Sequence, residues 1–82
     1  MTDADFRAVL LELDILEHTA VTAEIKALIE KTKELVSSIM ASTDLTLERK
    51  QLRLQLARNS SKFLQDSDVR LATIQIDTLI NL

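Results

Sequence analysis

Not one of the chain's 82 residues is glycine or proline. Tight hairpins lean on glycine, asparagine and aspartate to reach positive φ, and here only Asn59 and Asn81 supplement the aspartates. Proline, the other residue that breaks helices, is missing as well. A chain so poor in breakers favours helices, some of them long. At this length residues 1–82 make a single helical domain, near the lower size limit for folding alone. Its core must be aliphatic: 15 Leu, 7 Ile and 4 Val stand against 2 Phe and no Trp or Tyr. An apolar fraction of 46% excludes wholesale disorder.

Periodicity divides the chain into four segments. In the first, Phe6, Val9, Leu10, Leu13, Leu16 and Ala20 share one helical arc about 120° wide at 100° per residue. Ala4, Ala8, Leu11 and Ile15 form a second arc on the other side. The second segment, residues 22–42, is a simpler amphipathic helix. With Val21 just ahead of it, Ile25, Leu28, Ile29, Leu35, Val36, Ile39 and Met40 occupy one face. That stripe is rotated by roughly 100° from the main stripe of the first segment. A break between His18 and Thr22, with Thr22 as the new cap, relieves the conflict; one long bent helix is the alternative.

Residues 41–46, "ASTDLT", read as a loop in which Ser42, Thr43 or Asp44 caps the next helix. The third segment then carries Leu45, Leu52, Leu56 and Phe63 along a narrow seam close to a coiled-coil edge, with Leu47 and Leu54 nearly opposite. A final boundary at "LQDSDV" offers Asp66 or Ser67 as cap. Beyond it, Val69, Ala72, Ile76, Leu79 and Ile80 share one helical arc, and Leu71, Ile74 and Leu82 another. Helix is the favoured reading there, with a strand as the alternative for so β-branched a run. The predicted fold is all-α: a small antiparallel bundle of three to four helices, or a long helical hairpin.

Candidate chemistry is sparse. His18 and Asp14, four apart, could share a metal, but the chain has one histidine and no cysteine to complete a site. A solvated histidine at a helix C-terminus is the simpler reading. Glu30 and Glu34 share a face with Lys26, Lys31 and Lys33, as on an ordinary charged helix surface, whereas a catalytic pair needs a cleft. Ser60 and Ser61 have no nearby histidine, and no glycine-rich loop is present to cradle phosphate. The expectation is a non-enzyme with no cofactor, no metal and no small-molecule substrate.

Charge is unevenly spread. Residues 1–18 hold five acids and one base, a sum of −4, while residues 45–62 hold five bases and one acid, a sum of +4. The basic stretch lacks interleaved aromatics, and a net charge of −3 disfavours nucleic acid and anionic membrane as partners. The third segment is better read as lying beside the first, in the same chain or a neighbour, with charges matched. An acidic N-terminus, no long apolar run and no cysteine fit a cytoplasmic protein.

The surplus apolar residues carry the functional expectation. Leu11, Ile15, Leu47, Leu54, Leu71, Ile74 and Leu82 fall outside the main stripes. Clustered apolar patches of this kind mark interfaces. They suggest an adaptor, inhibitor or chaperone-like module that docks a protein partner or forms a homo-oligomer. The alternative is a subunit that assembles into a filament or needle, or a designed bundle. "STDL" at 42–45, "LRLQLA" at 52–57 and a hydrophobic C-terminal helix resemble, over about half the chain, the small needle subunits of type III secretion systems. The proline and tyrosine positions usual in that family are absent, so the chain is not assigned to it.

Overall fold

A computed structural model describes residues 3–19 and 22–82. Thr2, which three residues ahead of Asp5 reads from the sequence as a cap for the first helix, and Ala20 and Val21, expected on apolar stripes, lie outside them. Four helices follow one another: α1 (Asp3–Thr19), α2 (Ala23–Ala41), α3 (Leu47–Gln65) and α4 (Val69–Asn81). Among the described residues there is no strand, so the β-branched C-terminal run is helical.

The break after α1 falls where the two apolar stripes lose phase. Thr22 is extended, at φ −117° and ψ 150°, and its side chain accepts a hydrogen bond of 3.1 Å from the Ile25 amide. A threonine cap therefore starts the new helix without any glycine. The next cap is Thr46, not Ser42, Thr43 or Asp44: its side chain accepts from the Arg49 amide at 3.3 Å. The loop uses up the earlier candidates. The Ser42 amide donates to the Ile39 carbonyl at 3.2 Å, the Asp44 amide donates to Ser42 Oγ at 3.3 Å, and half-buried Leu45 packs on the core.

The α3–α4 turn also differs from expectation. Asp68 is the cap, accepting from the Leu71 amide at 3.1 Å, rather than Asp66 or Ser67. Asp66 and Ser67 belong instead to the end of α3. Ser67 takes a left-handed φ of 58°; its amide donates to Leu64 O at 3.1 Å, and the Asp68 amide donates to Phe63 O at 2.8 Å. That pair of bonds is a Schellman closure, with serine where glycine usually sits.

Helices α2 and α3 form the central pair. Each packs on the other and on both outer helices, while among the described residues α1 and α4 do not touch. The outer helices therefore sit in opposite grooves of a flattened bundle whose Cα extents are 36 × 23 × 15 Å. Lys50 at the start of α3 reaches the Met40 carbonyl at the end of α2 while Ser60 meets Thr32, and Arg53 reaches the Leu82 carbonyl, so α2/α3 and α3/α4 are antiparallel pairs. Phe6, Val9 and Leu13 from α1 meet Ile25, Ile29, Val36 and Ile39 from α2, with Ala72 and Leu79 from α4. Leu28, expected in the core, is half-buried against it.

The α3 face departs most from the predicted seam. Leu54, placed among the candidate interface residues, is wholly buried with Ala57, Ser60, Ser61 and Leu64. Leu52, placed in the seam, is 53% exposed. The reason is geometric: three helices pack around α3, so its buried and half-buried residues together cover more than half its circumference. Leu54 lies on one edge of that face, half-buried Leu56 and Phe63 lie on the other, and Ala57, Ser60 and Ser61 fill the middle with Leu64.

Two outcomes follow for stability. Ser67→Gly should stabilise the protein by about 0.5–1 kcal/mol, since a left-handed residue with a Cβ is penalised and glycine is not. Leu54→Ala should cost ~2–5 kcal/mol, Leu28→Ala less, and Leu11→Ala within about 0.5 kcal/mol of nothing. Urea titration of the four variants checks both, and equal losses at Leu54 and Leu11 would refute the burial pattern.

Candidate interaction surface

The outer helices each present a second apolar face. On α1, Phe6, Val9 and Leu13 turn inward. On the reverse, Ala4, Ala8, Leu11 and Ile15 are all exposed, Leu11 at 60% and Ile15 at 59%. Their spacing of four, three and four keeps them in line for about 16 Å of helix. On α4, Ala72, Ile76 and Leu79 are buried, while Leu71, Ile74 and Leu82 are exposed along another line of similar length. Thr78 falls within that line, and its hydroxyl is already engaged, donating to the Ile74 carbonyl at 2.8 Å.

Six of the seven residues singled out from the sequence are thus exposed: Leu11, Ile15, Leu47, Leu71, Ile74 and Leu82. Leu54 is removed from the set because it is core. Leu52 and Ile80, assigned to core stripes, belong with the exposed group instead; Ile80 is 50% exposed. The periodicity contained a signal for Ile80, which sits at the edge of the arc centred on Ala72, Ile76 and Leu79.

Helices α1 and α3 are oppositely charged. α1 carries Asp3, Asp5, Glu12, Asp14 and Glu17 against Arg7, and α3 carries Arg49, Lys50, Arg53, Arg58 and Lys62 against Glu48. These two helices do pack together, and the polar contacts that Glu12 makes between them reach no α3 base. Glu12 Oε1 accepts from Ser61 Oγ at 3.3 Å and from Gln65 Nε2. With Asp5 set aside, no α1 carboxylate among the described residues pairs with an α3 base. The α3 bases that are engaged donate to backbone carbonyls: Lys50 to Met40, and Arg53 to Arg49 and Leu82.

The α1 acids are answered by α2. Lys33 Nζ is paired with Asp14 and lies 3.7 Å from Glu17 Oε2. That Glu17 oxygen is otherwise buried without a hydrogen bond, so the ammonium is its compensation. The hydrogen bond that Lys33 donates to Asp14, against some desolvation, raises the lysine pKa above its ordinary 10.5. Around this pair lies a shallow groove of about 500 Å³ lined by Glu17, Glu30, Lys33, Glu34 and Ser37. Glu30 and Glu34 are both exposed in it, as on a solvated helix face.

The remaining candidates resolve into structural roles. Ser60 and Ser61 are fully buried, the first against Thr32 and the second against Glu12. His18 is exposed in the last turn of α1. Among the described residues no group of histidine, cysteine or carboxylate side chains is placed to hold a metal, and no helix is long and apolar enough to cross a membrane.

No family model, curated protein or solved structure matches the chain. The functional reading therefore rests on the surface itself.

A raised lysine pKa stabilises the fold at pH values below 10.5, and the contribution disappears as pH climbs through the higher folded-state value. Lys33→Gln should accordingly be slightly less stable than the parent near neutrality, with the gap closing in strong alkali. Thermal melts of both proteins across that range measure it, and a gap that widens with pH would refute the assignment.

Proposed function

We propose that this chain is a non-enzymatic helical interaction module, docking a protein through the apolar faces on the backs of its outer helices. The observation that carries the reading is the exposed line of Ala4, Ala8, Leu11 and Ile15 on α1, opposite the buried line of Phe6, Val9 and Leu13. Scattered surface leucines are normal, but apolar side chains aligned for three turns form a seam of the kind that accepts another helix. α4 repeats the arrangement with Leu71, Ile74 and Leu82. Charged residues flank the α1 seam on both sides, Asp3, Arg7 and Asp14 along one and Glu12 along the other, as at the rim of an interface. An adaptor, an inhibitor and a self-assembling subunit all use such a surface, and each is compatible with a protein that works in the cytoplasm.

The test is the double substitution of Leu11 and Ile15 by glutamate. Both side chains are exposed, so helicity and melting temperature should stay near those of the parent, while association measured by sedimentation velocity is lost. Unfolding of the isolated variant would place the seam in the core, because a buried unpaired carboxylate is very costly. Unchanged association by a folded variant would remove α1 from the interface.

A further inference from the structure

The end of α1 is held differently from its start. Phe6, Val9 and Leu13 are buried, but beyond Leu13 no α1 side chain is. Leu16 is half-buried against the core, while Asp14, Ile15, His18 and Thr19 are exposed. One ammonium on α2 ties this stretch down. Lys33 pairs with Asp14 and lies 3.7 Å from Glu17, and among the described residues no other side chain pairs with either carboxylate. At 29% and 30% exposure, the Lys33 and Glu17 side chains are screened less than an open surface pair, which contributes little.

The surroundings make that single positive charge matter. Glu30 and Glu34 of α2 line the same groove as Glu17, and Lys33 is the one cation among the described residues that line it. Glu17 has an oxygen buried without a hydrogen bond, and it sits in the last turns of α1, where the helix dipole disfavours negative charge. Without the ammonium, Asp14 and Glu17 on one helix would face Glu30 and Glu34 on the other with no counter-charge between them. The desolvated Glu17 oxygen would have nothing to compensate it.

From this arrangement we infer that Lys33 is a positioning residue for the α1 seam. Its charge holds residues 14–19 on α2, and with them Ile15 at one end of the exposed apolar line. The hold itself is independent of the docking reading above; its consequence for a partner rests on that reading. When the charge is lost, the end of α1 opens while the other three helices stay packed. Their mutual contacts, Thr32 with Ser60, Lys50 with the Met40 carbonyl and Arg53 with the Leu82 carbonyl, involve none of these acids. A frayed end no longer presents Leu11 and Ile15 as one rigid line, so a partner has to order it on binding.

Amide hydrogen exchange, followed residue by residue by NMR on the free protein at neutral pH, tests the hold without any partner. In Lys33→Gln the amides of residues 15–19 should exchange severalfold faster than in the parent, with little change at Val36, Leu54 and Ile76. Lys33→Arg should keep the parent's protection. Adding Glu17→Gln to Lys33→Gln should recover most of it, because the uncompensated charge leaves with the cation. A lysine that acted only by packing its alkyl chain would show no such rescue. Equal acceleration in all four helices, unfolding of Lys33→Gln, or failure of Glu17→Gln to rescue overturns the proposal and leaves the docking reading untouched. In sedimentation velocity, Lys33→Gln should weaken whatever association Leu11→Glu with Ile15→Glu abolishes. Association as tight as the parent's, with the end of α1 opened, overturns the link to the seam.

Discussion

The close seating of α3 among its three neighbours is the constraint on which the rest of the bundle depends. A helix with partners on three sides needs side chains small enough for their backbones to approach, and Ala57, Ser60 and Ser61 meet that need. Their hydroxyls then have to be satisfied away from water. Thr32 Oγ1 donates its single proton to the Leu28 carbonyl at 2.8 Å, so in the 3.3 Å contact between Thr32 and Ser60 the serine is the donor. Ser61 donates to Glu12 and so ties α3 to α1. Two serines thus join the central helix to both α2 and α1. Leucine at either position would force those helices apart, and the overpacking would be felt across the whole core.

Chain reversal without glycine is the second problem the molecule solves. Threonine caps open α2 and α3, and Asp68 opens α4. In each case a side-chain oxygen accepts an otherwise orphaned amide hydrogen at the start of a helix. Only at Ser67 does the backbone enter the left-handed region, and there two carbonyls of the last turn of α3 gain amide donors in exchange. Asp68 serves both helices: its amide closes α3 and its carboxylate caps α4. That economy keeps α3 and α4 tightly paired, consistent with their being the most extensively packed helices in the bundle.

These two features explain how far the sequence could be read. The helical character of the chain and its division into segments were legible, with a break near Thr22 favoured over one long bent helix, because α1, α2 and α4 each have a main apolar stripe and few competing breakers. The α3 face was not legible. Three of the four residues at its inward centre, Ala57, Ser60 and Ser61, are small and beside them stands only Leu64, so hydrophobic periodicity picked out Leu52, Leu56 and Phe63 at one edge and took Leu54 at the other edge for surface. Apolar periodicity is a poor guide to a helix whose buried middle is mostly small and partly polar. The caps were misplaced by two or so residues for a related reason: several hydroxyl and carboxyl side chains in each loop are chemically equivalent, and backbone closure alone selects Thr46 and Asp68. On the surface, Leu11 and Ile15 were legible because an outer helix has one buried side, and anything opposite that side is exposed.

The same geometry bears on what the exposed leucines contribute. Each outer helix packs on two neighbours, so its rear face lies beyond the reach of the core, and an apolar residue there adds little to the stability of the isolated chain. Its transfer from water is realised only when another surface covers it, at roughly 25 cal/mol per Å² of apolar area. Any partner that binds the folded chain and not the unfolded one also shifts the folding equilibrium by mass action. For a domain of 82 residues, with limited buried surface of its own, that linkage is substantial. On the docking reading proposed above, folding and association would share one free-energy source: the central helices set the shape, and the outer ones carry apolar area that a partner would cover.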